Sequence, residues 1–195
     1  MSKQCYFADQ DRPSEVLTVR TLQRVRITRD PQFHTMRQIV CTAPRTWSLL
    51  EESGQSLGTL VRPKWWSNNA ELVVPEGLVQ LRPTKVLHRS ISAFRDDLPV
   101  LEVRYPWRGG MELVPMNDPG GALRIERTAW FKEEWSITDK DGSERARIKH
   151  RFNWKRFGYE PELVSESSDP LSAMQLLSLV HAIFIFQRRR SAAVS

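Results

Sequence analysis

The chain has 195 residues, 40% of them apolar, and seven Trp and eight Phe supply bulky core material. That length fits one large domain or two small ones and buries enough surface to fold without disulfides or metals as staples. A formal charge of +6 favours anionic partners, either phospholipid headgroups or nucleic acid.

Residues 1–15 are polar and read as a loose segment. No long apolar stretch follows Met1, so no signal peptide is expected, and Ser2 in place of a glycine argues against N-myristoylation. Val16 to Ile27 mixes the strand and helix periods; a strand ending at Arg29-Asp30-Pro31 is preferred over a short amphipathic helix. From Arg37 to Glu166 β-branched and aromatic residues alternate with polar ones. Turn signals recur at Glu52-Ser53-Gly54, Pro75-Glu76-Gly77, Arg95-Asp96-Asp97, Arg108-Gly109-Gly110, Asp118-Pro119-Gly120 and Lys140-Asp141-Gly142. That spacing predicts about ten to twelve short antiparallel strands in a meander.

One phrase occurs twice. Trp47-Ser48-Leu49-Leu50-Glu51-Glu52-Ser53-Gly54 and Trp135-Ser136-Ile137-Thr138-Asp139-Lys140-Asp141-Gly142 both read Trp-Ser-apolar-x-acid-x-x-Gly. Each leads into a basic-aromatic run, Arg62-Pro63-Lys64-Trp65-Trp66 in the first case and Lys149-His150-Arg151-Phe152-Asn153-Trp154 in the second. A weaker third copy turns at Asn117-Asp118-Pro119-Gly120-Gly121. Repetition of this kind describes how a β-protein is built, not what reaction it runs.

After Glu166 the character changes. Ser167-Ser168-Asp169-Pro170 reads as a helix start, with Asp169 as N-cap and Pro170 at the first helical position, and residues 170–187 form the predicted helix. Only Ser172, Gln175, Ser178 and His181 interrupt its apolar surface, and Arg188-Arg189-Arg190 follow at the negative end of its dipole. A helix apolar on nearly every face must lie in lipid or inside protein. Its length and four polar side chains favour a core helix over a membrane span. The reading is therefore a single domain over 16–190 with a short tail at 191–195.

A meander of this length closing on an Asp-Pro-Leu-headed apolar helix resembles the tubby-like superfold: tubby C-terminal domains, phospholipid scramblases and LURP-one-related proteins. The likeness rests on Trp135-Ser136-Ile137-Thr138-Asp139-Lys140-Asp141-Gly142 through Ala146-Arg147-Ile148, then Tyr159-Glu160, then Asp169-Pro170-Leu171 and the helix. It is specific over about residues 125–187 and architectural over 40–190. The resemblance implies a closed antiparallel barrel of about twelve strands around the C-terminal helix, and contact with membrane lipid. The cysteine-rich and acidic calcium-binding segments of scramblases have no counterpart here, and no residue aligns with the phosphoinositide-binding basic pair of tubby domains.

The candidate interaction surface is basic and aromatic: Arg62, Lys64 and Trp66 in the first run, and Lys149, Arg151, Lys155 and Arg156 in the second. Arg and Lys pair with phosphate, and Trp prefers the interfacial zone of a bilayer. The competing reading makes the aromatics core and the cations solvated outer face. His34, His88, His150 and His181 share no ligand spacing, and His181 reads as a neutral histidine hydrogen-bonded inside the barrel. Cys5 and Cys41 lack metal or redox spacing and read as structural thiols of a reducing compartment. No nucleophile elbow or phosphate-cradling glycine loop is present, so neither catalysis nor a cofactor or metal is expected. The expectation is a non-enzymatic domain, cytoplasmic or peripheral at a membrane, that contacts anionic phospholipid. A nucleic-acid-binding module on the same surface and a scaffold protein are the alternatives.

Overall fold

The structure, a computed structural model, describes residues 37–64, 67–84, 90–106, 110–129, 133–153 and 158–193. The expected loose segment 1–15 and the strand ending before Pro31 lie outside the described residues. Twelve strands follow one another: β1 (Arg37–Ala43), β2 (Thr46–Glu51), β3 (Ser56–Val61), β4 (Ala70–Val74), β5 (Gly77–Pro83), β6 (Ser90–Arg95), β7 (Leu98–Arg104), β8 (Met111–Pro115), β9 (Leu123–Arg127), β10 (Glu134–Thr138), β11 (Glu144–Asn153) and β12 (Gly158–Glu166), then helix α1 (Ala173–Ala193). Each strand pairs antiparallel with the next, in the order β1 to β12, and β12 returns beside β1 to give a nearly closed barrel.

Alternation fixes which side of each strand faces the core. In β4, Ala70, Leu72 and Val74 are buried while Glu71 and Val73 face out; β11 likewise buries Ala146, Ile148 and His150. The turns obey their chemistry. Arg95 pairs with Leu98, and Asp96 and Asp97 between them have φ of 50° and 61°, a two-residue hairpin of the kind that follows the twist of its strands. Gly54 and Gly142 stand at equivalent turns with φ of 83° and 82°. Trp47 and Trp135 occupy matching positions in β2 and β10, eight strands apart, so the repeated phrase is one hairpin used twice.

The interior is filled by α1. Every residue from Leu176 to Ile185 is buried, which covers all faces of the helix. Gly58 in β3 permits the close approach: a Cβ there would stand 3.2 Å from the Leu177 side chain and 3.1 Å from Val74. Burial of Leu176, Leu177, Leu179, Val180, Ile183 and Ile185 contributes about 1.5–3 kcal/mol each, on the order of 10 kcal/mol together. That equals the whole net stability of an ordinary domain, ~5–15 kcal/mol.

The helix start differs from the sequence expectation. Asp169 and Pro170 precede it, and α1 begins at Ala173 with a reciprocal cap. The Gln175 amide donates to Ser172 Oγ at 3.2 Å, and the Ser172 amide donates to Gln175 Oε1 at 2.9 Å. Asp169 is instead held by Arg145, whose guanidinium donates to both its carbonyl and its carboxylate. At the other end the helix runs past 187 through Arg188–Arg190 to Ala193, so most of the expected tail is helical.

One ion pair closes the barrel. Arg37, at the start of β1, donates through Nε to Glu166 at 2.8 Å and through Nη2 to its other oxygen, while Glu166 is 2% exposed. The same Nη2 donates to the Leu171 carbonyl at 2.8 Å, and the Leu171 amide donates to Glu166 at 3.2 Å. A single carboxylate thus joins first strand, last strand and the entry to the helix. Removing one partner of such a pair leaves a buried charge, so Glu166→Ala should lower the unfolding free energy by about 3–5 kcal/mol in urea denaturation. The double variant Arg37→Met/Glu166→Leu should recover part of that loss.

Candidate functional site

A consecutive antiparallel meander sorts its connections by parity. Odd-numbered strands all run toward one end of the barrel, here the upper pole, and even-numbered strands toward the lower. Arg37–Glu166 lies at the lower pole and α1 rises from it, so Arg188, Arg189 and Arg190 emerge at the upper pole beside the ends of β3, β7 and β11.

The mouth at that pole is built around Phe184. The Trp47 ring lies 4.7 Å from it, the His150 ring 5.1 Å and the Arg62 guanidinium carbon 5.3 Å. Arg62 follows β3 directly. Burial, and then the neighbouring charge of Arg188, bring its pKa down to about 10, and Arg188 is itself lowered by burial and by Arg189. Arg188 donates to the side-chain oxygen of Asn68, and the Asn68 carbonyl accepts from His181 Nε2 at 2.9 Å. Arg189 stacks over Tyr105 at 4.8 Å, and Tyr105 donates its hydroxyl to the Ala182 carbonyl at 3.2 Å. Burial raises the Tyr105 pKa, so it stays a neutral phenol. Across the mouth Arg45, exposed in the β1–β2 turn, donates to the Pro63 carbonyl at 3.1 Å.

Both buried histidines serve the interior. His150 faces inward from β11 and donates from Nδ1 to Gln187 at 3.1 Å; Gln187 donates to Glu133 at 2.7 Å, and Glu133 accepts from Arg127 at 3.0 Å. Burial pushes the His150 pKa down to about 4, against the opposing hydrogen bond to Gln187. For His181, burial dominates and Arg62 and Arg188 add to it, giving about 3. Neither ring shares a cluster with other ligand side chains: no group of three or more His, Cys, Asp or Glu that could hold a metal exists among the described residues. Among the same residues, no helix is long and apolar enough to cross a membrane.

Of the seven residues singled out in the sequence, the structure describes four, and they separate into two places. Arg62 and Lys64 lie at the upper mouth. Lys149 and Arg151 face outward on β11, where carboxylates meet them: Lys149 stands opposite Glu134 and Glu162, and Arg151 Nε is 2.8 Å from Glu162. Trp66, Lys155 and Arg156 lie outside the described residues. What the sequence reading omitted is the contribution of Arg45 and of the helix end, Arg188–Arg190. The signal was present in the alternation of turn charge along the meander. No family model, curated protein or solved structure matches this chain.

The histidines set an acid limit on the fold. Each binds a proton near pH 6.5 when unfolded but only near 4 or 3 when folded, so between those values the unfolded chain holds more protons. Unfolding free energy should be level above about pH 7 and fall as pH drops from about 6.5 toward 4. His150→Gln and His181→Gln should each flatten that profile, read by urea denaturation at successive pH values.

Proposed function

We propose that this chain is a non-enzymatic, tubby-like barrel that binds anionic phospholipid at a membrane surface through its upper mouth. The observation that carries the reading is the gathering of Arg45, Arg62, Lys64 and Arg188–Arg190 at the pole where the central helix ends. The charge of Arg188 adds to burial in lowering the Arg62 pKa, and that of Arg189 adds to burial in lowering the Arg188 pKa; this crowding of cations is unfavourable, and a bound phosphate would relieve it. Guanidinium forks suit phosphate oxygens, and several stand together on one rim. The non-enzymatic part of the reading rests on the interior: α1 occupies the space where a barrel of this size would enclose a substrate, and both histidines are sealed inside it.

Arg151 contributes less to this surface than the sequence suggested, because Glu162 already offsets it. The test is co-sedimentation with vesicles of phosphatidylcholine alone and with added phosphatidylserine. Binding should require the anionic lipid and weaken as salt rises. Each cation near a charged leaflet is worth about 1 kcal/mol, so Arg45→Ala or Arg190→Ala should weaken binding about fivefold, and Arg151→Ala by less. Retention of duplex DNA at salt concentrations that release the vesicles would instead favour the nucleic-acid alternative.

A further inference from the structure

The charge of the turns at the two poles has opposite sign. The lower connections carry Glu52, Glu76, Asp96-Asp97, Asp118, Asp139 and Asp141, with Lys140 the one base in those turns. The described upper connections and the helix end carry the arginines of the mouth and Lys64, with Glu133 as the one acid. The wall between the poles is close to neutral, because cations and carboxylates balance along its strands and many of them pair. Arg124 lies 2.6 Å from Glu126, Arg104 2.7 Å from Glu102, and Arg151 2.8 Å from Glu162.

We infer that the molecule meets an anionic phospholipid surface end-on, with the C-terminus of α1 nearest the lipid and the acidic turns directed away from it. This orientation rests on the lipid reading of the mouth and specifies how that site is presented. Two lengths decide it. The helix has 21 residues, and at ~1.5 Å each it separates the poles by roughly 30 Å. The Debye length at physiological ionic strength is about 8 Å. End-on, the acidic turns lie several screening lengths from the headgroups and cost almost nothing. Lying on its side, the barrel would bring part of the acidic pole within one screening length of the same leaflet, where each carboxylate opposes a mouth cation. The paired wall offers no net attraction to offset that repulsion. The negative end of the α1 dipole also faces the lipid end-on, but it amounts to about half a charge and three arginines stand on its last turns.

Single-cysteine labelling tests the orientation. In a background with Cys5→Ser and Cys41→Ala, a bimane fluorophore is attached at Pro44→Cys, exposed beside Arg45 on the upper pole, or at Glu52→Cys on the lower. Val73→Cys and Arg124→Cys report from the wall, on strands five apart around the barrel. Vesicles of phosphatidylcholine and phosphatidylserine carry brominated acyl chains as quencher, and co-sedimentation confirms that each variant binds. The expected result is quenching at position 44 alone. Quenching at 73 or 124 equal to that at 44 overturns the end-on geometry while leaving lipid binding intact. Absence of binding by every variant and by the unaltered chain overturns the lipid reading itself. A second variant avoids labels altogether: Glu52→Gln/Glu76→Gln/Asp97→Asn removes three of the seven acids of the lower turns, with Asn suited to the left-handed φ at 97. End-on docking predicts less than a twofold change in vesicle affinity, whereas several-fold tightening would show that the acidic turns face the lipid.

Discussion

Everything in this fold depends on an apolar helix that cannot face water. The ten residues from Leu176 to Ile185 are buried on every side, and strands from around the barrel supply the walls that bury them. The dependence is mutual. A barrel of twelve strands encloses too much space for its own inward side chains to fill, and α1 supplies the missing layer. Gly58 shows how tight the fit is, since even a methyl group there would press on Leu177. The lower pole is then sealed by Arg37 and Glu166, and the upper by aromatic contacts of Trp47 with Phe184 and of Trp135 with Phe186, at 4.7 and 5.2 Å.

Direction follows from enclosure. Because the chain enters the barrel from below, the residues that end the helix must emerge above, and an ordinary dipole-matching run of arginines becomes part of a polar mouth. Strand parity delivers the rest. Among the described turns, those that follow odd-numbered strands lie at the pole of Arg188–Arg190, and those that follow even-numbered strands gather on the acidic side. The two tryptophan hairpins share that parity, which is why both Gly54 and Gly142 lie at the lower pole.

The architecture was legible because its signals are local. Alternation in β4 and β11, Asp96-Asp97 and Asp141-Gly142 at turns, and the mostly apolar run after Ser172 each report a nearby backbone state. The helix start was misplaced by three residues because Asp-Pro is a strong local cap signal, while the actual cap needed Ser172 and Gln175 to be read as a pair. The tubby-like resemblance supplied the closed barrel, which turn spacing alone did not. The surface was harder to read. Lys149 and Arg151 looked like binding cations in one dimension, but the carboxylates beside them come from β10 and β12 through strand pairing. Glu166 gave no sign of its role either, because its partner lies 129 residues away.

The central claim is that helix and barrel form one cooperative unit, and native-state hydrogen exchange measured against urea tests it most directly. The account predicts that the amides of Leu177 to Ile185 exchange only through global unfolding, with the same free energy and urea dependence as the slowest amides of β3 and β4. Exchange of those helix amides through a cheaper opening, while the strands stay protected, would show that the barrel stands without its helix and would contradict the account.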